Sequence, residues 1–547
     1  MESSYVKKSL ALLALAALAA CGGGGATTPA LPLSGAGAGP LQTSLLTRIV
    51  GVGDSLTAGY QSDGIIGETG VRNPVWNNGI GPAHQIPPNQ ENGWWALLDE
   101  QASGKPLETA INEMYDPATS PLPLIKGPGL DNQIVPTNNS YSPAAQFKGT
   151  DPCTYAHGFN QTGFLLRGSA HVRLNPTSTH IRNFGIPGLT QHEANTIHQP
   201  QTDTCSPLPG IPGLLSDVVN EESGTFWPVL RNFTRLDGHL TEVNAAASVH
   251  PTLATVWLGA NDVLKYMGSG GRFVGGNRTA AQVESDLHTT ISTLEKAGAR
   301  VVIVNLPNIL ETGFFQRVGK PNNTKECAIQ TFAWCTLKLA GLDSFLPYFS
   351  KKYGLDTPNG CTPTSETSPC GYLTLQGVFA IINYFNTYSG GLANLDCATP
   401  KPNCKAVPGN GLGMNYITPK FAARVQALNN VINTGIDNAA SANHVPLVDA
   451  FSIFHGLASG DPSNRYFAQA ASINPGVCCS LGYTYGLLSL DGIHPSNTGY
   501  ALIAYDFIAT INKAYGAHIP QVDIVAAYNG TRCTNKKYCF PDPFAPH

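Results

Sequence analysis

Three residue types that together can activate a hydroxyl group stand near the two ends of the sequence. Ser55 follows Gly53 and Asp54, whereas Asp491 and His494 stand three residues apart much later in the chain. A neutral serine hydroxyl is a weak nucleophile and needs a base to take its proton, and an imidazole titrates near neutral pH. A carboxylate on the same turn can accept the other ring N–H and stabilise the imidazolium. Ser55 and Asp491 each have a structural alternative, because both residue types are typical helix caps.

Short apolar runs mark the elements that would have to position these residues. Five runs are rich in β-branched residues, at 48–53, 180–184, 252–258, 299–305 and 445–450. Continuous apolar runs of this length are typical of strands that are buried on both faces of a parallel sheet. Segments with helical spacing follow several of them, at 280–297, 421–442 and 495–515. The alternation predicts a layered α/β domain, in which ligands bind beyond the carboxyl ends of the strands.

Two long stretches interrupt this alternation, at about 103–177 and 309–418. Structureless loops of that length are improbable inside a compact domain, so we interpret both as insertions packed at the functional edge of the sheet. Twelve cysteines remain after Cys21, and their even number in an exported protein favours disulfides that brace the insertions. We expect neighbours to pair, as 153–205, 327–335, 361–370, 397–404 and 533–539, which leaves Cys478 and Cys479.

Two further sequence blocks stand where predicted strands end. The second strand runs into a segment that contains Gly188, and the third strand is followed by Asn261. With the serine block at 53–56 and the acid–base pair at 491–494, these blocks follow the order found in the SGNH, or GDSL-type, esterase and lipase family, which the sequence resembles. The resemblance implies a flavodoxin-like three-layer α/β/α fold with a parallel sheet of about five strands, spanning about residues 46–516.

The resemblance also implies a role for each of these residues. Ser55 would be the nucleophile, His494 the general base and Asp491 the residue that orients the base. The negative oxygen of a tetrahedral intermediate would be held by the backbone N–H groups of Ser55 and Gly188 and by the side-chain amide of Asn261.

Neighbouring residues receive other roles. Gly185 is a less favoured alternative to Gly188 as the second backbone donor. Asp54 and Asp262 are expected to be structural. For Asn261 the structural alternative is a turn residue that hydrogen-bonds its own loop.

Aromatic residues and dispersed histidines carry weaker signals. Trp94 and Trp95 stand where the first helix of the family would pack, so we expect them in the core. The remaining candidates are Phe314, Phe315, Phe332 and Trp334, expected in a core, and His157, His171, His180, His192 and His198, expected at the surface or in structural hydrogen bonds.

The first residues indicate export. Two lysines precede an apolar run at 10–20, which is too short to span a bilayer and ends in small residues before Cys21. This pattern resembles the lipobox of bacterial lipoproteins; an ordinary signal peptide with an incidental cysteine is the alternative. It predicts a signal peptide at 1–20, a lipid on Cys21, a flexible tether at 21–45 and an exported protein anchored to the bacterial membrane, with Gly22 favouring the outer membrane.

Composition narrows the possible partners. Hydrophobic residues make up 42% of the chain, charged residues 12%, and the net charge is −4. This mixture is typical of a globular protein, and the absence of basic runs argues against nucleic acid as a partner. The segment 517–547 is interpreted as a C-terminal tail, and oligomeric state is not predicted.

The expected reaction is hydrolysis of a carboxylic ester through an acyl-enzyme on Ser55, with no metal or other cofactor. The acyl donor would be a lipid, a lysophospholipid or a simple acyl ester. The alternatives are a carbohydrate O-acetylesterase, acyl transfer to an alcohol, and a non-catalytic surface-binding lipoprotein on a hydrolase scaffold. The long gaps between the sequence blocks leave the substrate open.

Overall fold

Four parallel strands form the central sheet of the computed structural model. They are β1 (Ile49–Gly53), β2 (Leu253–Trp257), β3 (Arg300–Val304) and β4 (Leu447–Val448), and they lie side by side in this order. Every residue of β1 and β2 is buried, as the continuous apolar runs require of strands covered on both faces. The predicted α/β architecture with a parallel sheet is confirmed.

The structure describes nineteen separate stretches of the chain. These are residues 43–61, 64–66, 71–72, 85–86, 89–125, 129–130, 173–175, 177–197, 229–230, 232–233, 240–268, 270–271, 278–317, 366, 370–374, 416–459, 463–473, 486–489 and 491–532. The predicted signal peptide, Cys21 and most of the predicted tether lie outside them. The helices of the described residues include none that is both long and apolar enough to span a membrane.

The predicted fifth strand, at 180–184, differs from the expectation. It lies beside β1 and forms one parallel bridge, between Asn183 and Gly51. The N–H of Gly51 donates to the Arg182 carbonyl at 2.9 Å, and the N–H of Phe184 donates to the Gly51 carbonyl at 2.8 Å. The sheet therefore has four strands and one bridged segment rather than about five strands. The hydrogen-bond ladder is interrupted because the N–H of Gly53, the next one in β1 on this side, donates to a side chain.

Eleven of the thirteen α-helices of the described residues are numbered along the chain; the two short helices Thr43–Leu46 and Glu193–Thr196 are left unnumbered. They are α1 (Ser55–Ala58), α2 (Trp94–Ala102), α3 (Leu107–Tyr115), α4 (Glu242–Ser248), α5 (Ala260–Gly268), α6 (Ala280–Lys296), α7 (Pro419–Asn443), α8 (Ala450–Ser459), α9 (Arg465–Ile473), α10 (Asn497–Tyr515) and α11 (Ile524–Tyr528). Helices α6, α7 and α10 correspond to the three helical patterns in the sequence. Side-chain caps start them, because Thr279, Thr418 and Ser496 each accept a backbone N–H of the first turn.

The helices pack in two groups around the sheet. Helices α4, α6 and α7 contact one another or β1 and β3, whereas α2 and α10 contact each other. With the bridged segment outside β1, the strand order is that of the flavodoxin-like sheet. In such a sheet the chain adds strands on both sides of β1 through right-handed crossovers, which puts the helices of the two sides on opposite faces of the sheet. In the second group the Trp94 ring stacks on Phe507 at 4.0 Å between centroids, and both rings lie near Trp257. Trp94 and Trp95 are fully buried, as expected.

The predicted insertions are described only in part. Three short antiparallel strands, Phe315–Arg317, Tyr372–Thr374 and Tyr416–Ile417, form a small sheet from the two ends and one inner piece of the second insertion. Beside it Cys370 is buried and disulfide-bonded. The other cysteines lie outside the described residues, so the pairing stays a prediction. The first insertion begins with α3, which packs on α2.

The chain continues into the core beyond the predicted start of the tail. Ile519, Val522 and Ile524 are completely buried, and α11 packs against α10. Arg532 forms an ion pair with the buried Glu100 of α2. Residues 517–528 are therefore part of the same core, because their apolar side chains are buried and α11 packs on α10.

Candidate active site

Ser55 opens a single turn of helix directly after β1. The side chain of Asp54 caps this turn by accepting the N–H of Leu56 at 3.0 Å, and the turn ends at Gly59, which has a left-handed φ of 77°. Any β-carbon at Gly53 would collide with the side chain of Thr57 and the carbonyl of Trp257. The serine is thus held at the carboxyl end of the sheet, where its N–H is one of the first N–H groups of the turn and has no acceptor within that turn.

His494 is held by a tight turn that Asp491 organises. One carboxylate oxygen of Asp491 accepts the N–H groups of Ile493 and His494, both at 2.8 Å. The other oxygen lies 2.8 Å from Nδ1 of the imidazole. Gly492, between them, has a left-handed φ of 73°, and its carbonyl accepts the N–H of Phe314. The carboxylate therefore fixes both the backbone and the ring orientation of His494.

The two ends of the chain meet at the imidazole. His494 Nε2 lies 2.9 Å from Ser55 Oγ. Because Asp491 accepts the proton on Nδ1, Nε2 carries the lone pair and can accept the serine proton. The side chain of His494 keeps 13% of its surface exposed and Ser55 keeps 7%, so a small reactant can approach. The predicted serine, histidine and aspartate are thus brought together in a single hydrogen-bonded chain.

Tyr60 supports the imidazole from the nucleophile side, a contact that sequence reasoning missed. Its ring lies 4.6 Å from that of His494 between centroids. The hydroxyl of Tyr500 in α10 donates to the Tyr60 carbonyl, and Gln61 donates to Asn497 at 2.9 Å. These bonds tie the segment after Ser55 to the helix after His494.

The Asn261 side chain lies beside the serine turn, but its amide is already engaged. Nδ2 donates to the Asp54 carboxylate at 3.1 Å and to the Leu189 carbonyl at 3.0 Å. Both amide hydrogens therefore have acceptors within the protein. The amide of Asn261 thus joins the serine turn to the segment that carries Gly188. These bonds differ from the structural alternative, because neither acceptor belongs to the loop of Asn261 itself, and its role as an oxyanion donor stays a prediction.

The two candidate glycines differ in what surrounds them. Gly188 has a left-handed φ of 82°, and no described atom would lie within 4 Å of a β-carbon placed there. The N–H of Gly185 donates to the Asn183 side chain at 3.0 Å, and a β-carbon there would lie 2.5 Å from the backbone nitrogen of Ala58. A β-carbon at residue 188 would thus meet no described atom, and the role of Gly188 as a backbone donor stays a prediction, whereas Gly185 is needed for close packing on α1.

Asp262 anchors the loop that carries Gly188. Its carboxylate accepts the N–H of Gln191 at 3.0 Å and pairs with the Arg278 guanidinium at 3.3 Å. Both side chains are at most 9% exposed. Burial raises the pKa of Asp262, while the Gln191 N–H and Arg278 lower it. Asp262 thus has a structural role, because its carboxylate fixes the backbone three residues after Gly188.

Two buried carboxyl groups lie beneath the serine turn. Asp54 is fully buried, and burial raises its pKa to about 7 although the Leu56 N–H and the nearby His494 oppose the shift. Glu242, the first residue of α4, accepts the N–H of Gly53 at 2.6 Å. Burial also raises the pKa of Glu242 well above its ordinary value. Sequence reasoning gave no signal for Glu242, because only the folded chain brings it beside β1.

The remaining candidates lie away from these contacts or outside the described residues. His180 and His192 are described, and the ring of His192 lies 3.1 Å from Asp286 with most of its surface exposed. Phe314 and Phe315 are buried, in line with a core role. His157, His171, His198, Phe332 and Trp334 lie outside the described residues. Within the described stretches, no three His, Cys, Asp or Glu side chains are grouped so that they could hold a metal ion.

A serine hydroxyl bonded to an imidazole that is in turn bonded to a carboxylate, at the carboxyl edge of a parallel α/β sheet, defines a serine hydrolase type of site. The sequence profile of the GDSL-like lipase/acylhydrolase family matches residues 49–353. This range is more than half of the 547-residue chain, and the protein belongs to that family of hydrolases that act on esters. The matched range contains Ser55, Gly188 and Asn261 and ends before Asp491 and His494, so those two rest on the geometry above. Searches of curated proteins and of solved structures gave no match.

Proposed function

We propose that this protein hydrolyses carboxylic esters through an acyl-enzyme on Ser55. The observation that carries the proposal is the continuous hydrogen-bonded chain from Asp491 through His494 to Ser55, with 2.8 and 2.9 Å between the bonded atoms. Membership of an ester-hydrolase family supports the same reaction.

The proposed reaction has two stages, and His494 takes up and releases a proton in each of them. Ser55 Oγ attacks the ester carbonyl while its proton moves to His494 Nε2, and Asp491 stabilises the imidazolium. The carbonyl oxygen becomes an oxyanion, for which the N–H groups of Ser55 and Gly188 and the amide of Asn261 are the proposed donors. The imidazolium then gives its proton to the departing alcohol, which leaves an acyl group on Ser55. Water attacks that acyl group while His494 takes its proton, and the imidazolium then returns a proton to Ser55 Oγ as the carboxylic acid leaves.

The substrate class proposed from the sequence is a lipid, lysophospholipid or simple acyl ester. A panel of p-nitrophenyl esters from acetyl to palmitoyl, together with lysophosphatidylcholine and acetylated xylan, separates the possibilities. Hydrolysis that extends to long acyl chains supports a lipid-directed esterase, and cleavage of acetyl groups alone identifies an O-acetylesterase. Ser55→Ala is the control that must be inactive on every ester. A folded wild type that releases acid from none of them would contradict the proposed function.

We also propose that the protein is exported and attached to the bacterial membrane through a lipid on Cys21. The support is the apolar run that ends in small residues before this cysteine. Mass spectrometry of the N-terminal peptide of the mature protein, from cells expressing the wild type or Cys21→Ser, tests it. A diacylglyceryl group on the wild type is the expected result. A wild-type N-terminus that is not lipidated would overturn the anchor and leave the proposed reaction untouched.

A further inference from the structure

The ladder between β1 and the segment at 181–186 breaks at one hydrogen bond. Gly51 donates to Arg182 and accepts from Phe184, and the Gly53 carbonyl accepts from Ile186 at 2.9 Å. In a regular parallel ladder the N–H of Gly53 would donate to the Phe184 carbonyl, two residues after the Gly51 bond. It donates instead to Oε1 of Glu242 at 2.6 Å. A side chain thus takes the place of a backbone acceptor within the sheet.

The position of the break matters because each side of it carries part of the site. β1 leads directly into Asp54 and Ser55. The neighbouring segment leads through Gly185 to Gly188, whose N–H is a proposed oxyanion donor. The distance between these two backbones sets where a carbonyl carbon and its oxygen would lie relative to one another.

Glu242 is held firmly in this place. It begins α4 directly after Thr241, whose side chain caps the helix by accepting the N–H of Asn244 at 3.2 Å. Glu242 is completely buried, and its other oxygen, Oε2, has no hydrogen-bond partner among the described residues. Burial without a cation favours the neutral acid, in agreement with the raised pKa of Glu242. A neutral acid still accepts the Gly53 N–H through its carbonyl oxygen.

We propose that Glu242 is a positioning residue, which acts through the Gly53 N–H to fix the end of the nucleophile strand relative to the segment that carries Gly188. It does not touch the reacting atoms. The inference rests on the proposed role of Ser55 and adds a residue outside the four sequence blocks of the family.

Two substitutions separate this role from simple filling of space. Glu242→Gln keeps the size, the neutral state and a carbonyl acceptor for Gly53. Glu242→Met keeps a similar length but offers Gly53 no oxygen. We expect the Gln variant to retain kcat within about threefold of the wild type. In the Met variant we expect kcat to fall by about 10- to 100-fold at nearly constant KM, because a misplacement of reacting groups by about 1 Å can cost about 100-fold.

Glu100→Gln is a matched control for loss of stability. Glu100 is also a buried carboxyl, but it pairs with Arg532 on the outer side of α2. This variant should lower Tm without a specific fall in kcat, which shows what destabilisation alone does. Rates are referred to the fraction of each folded protein that reacts with a fluorophosphonate, so unfolded material does not count.

The outcomes are distinct. A folded Glu242→Met with wild-type kcat would overturn the proposal, and so would a Glu242→Gln that loses as much kcat as Glu242→Met. A Ser55→Ala variant that still hydrolyses the ester would instead overturn the proposed function, independently of either Glu242 result.

Discussion

The side of the site that carries the proposed base and the side that carries the proposed oxyanion donors, here called the base side and the oxyanion side, are organised differently. On the base side both imidazole nitrogens of His494 already have the partners that the reaction needs, Asp491 and Ser55. On the oxyanion side both amide hydrogens of Asn261 are given to acceptors within the protein, Asp54 and Leu189. The groups that transfer the proton are therefore already hydrogen-bonded to one another without substrate. On the oxyanion side, a substrate oxygen must share or replace an existing acceptor of Asn261.

The difference follows from how the two sides are built. The base side is a single short turn in which one carboxylate fixes the backbone and the ring together. The oxyanion side joins three separate segments, and the Gly188 loop is tied from behind through Gln191 and Asp262. A substitution on the base side should therefore disrupt the whole proton-transfer arrangement, whereas a substitution on the oxyanion side should remove one donor among several.

The largest effect is expected for Asp491→Asn. The new amide carbonyl can still accept the N–H groups of Ile493 and His494, but its NH2 group would face Nδ1 and favour the wrong imidazole tautomer. Loss of this kind costs about 10⁴-fold in kcat in a well-studied serine protease. Steady-state kinetics on a soluble ester, with Tm measured alongside, tests it. A loss of kcat smaller than tenfold would mean that Asp491 does not fix the imidazole in the tautomer that the reaction needs.

An intermediate effect is expected for Asn261→Ala. Removal of one oxyanion donor typically costs about 10²- to 10³-fold in kcat, and KM should change little because the donor acts mainly on the charge of the transition state. The measurement is kcat and KM on the same ester.

Asn305→Ala provides the matched control for Asn261. Asn305 follows the neighbouring strand β3, and it hydrogen-bonds Asp449 at 2.9 Å and the N–H of Phe451. It should lose stability but retain kcat within a few fold. Equal losses of kcat in both variants would assign Asn261 the structural role alone.

The smallest effect on kcat is expected for Asp54→Asn, whose main consequence is for stability. The native state keeps the Asp54 proton up to about pH 7, while the unfolded chain releases it near pH 4. The stability of the wild type relative to the variant should therefore decrease as pH rises from about 4 to 7, by on the order of a few kcal/mol. Denaturant unfolding of both proteins across this range gives the difference. A constant difference would show that Asp54 ionises normally.

The sequence predicted those features of the fold that depend on local pattern. Continuous apolar runs predicted all four strands of the sheet, and helical spacing predicted α6, α7 and α10 to within a few residues. The bridged segment at 180–184 was expected to be a full strand because of its apolar composition. That composition does not reveal that Glu242 accepts the Gly53 N–H, which interrupts the ladder. Likewise, the apolar residues at 519–524 form no periodic pattern long enough to indicate that they are part of the core.

The candidate site shows the same division. Ser55, Gly188, Asn261, Asp491 and His494 were identifiable because they stand in short blocks whose order the family shares. Tyr60 and Glu242 act through contacts between segments that are distant in sequence. Glu242 sits at the start of a helix, where an acidic residue is ordinary, so nothing local distinguishes it from a residue in solvent.

The proposed mechanism depends most on Ser55 being the nucleophile that His494 activates. Reaction of the intact protein with a fluorophosphonate, followed by peptide mass spectrometry, tests this directly with His494→Ala and Ser55→Ala in parallel. We expect one phosphonyl group per wild-type molecule, located on Ser55. The rate of its formation should be at least about 10³-fold lower in His494→Ala, and Ser55→Ala should form no adduct. An adduct on another residue, or an equal rate in folded His494→Ala, would contradict the proposed mechanism.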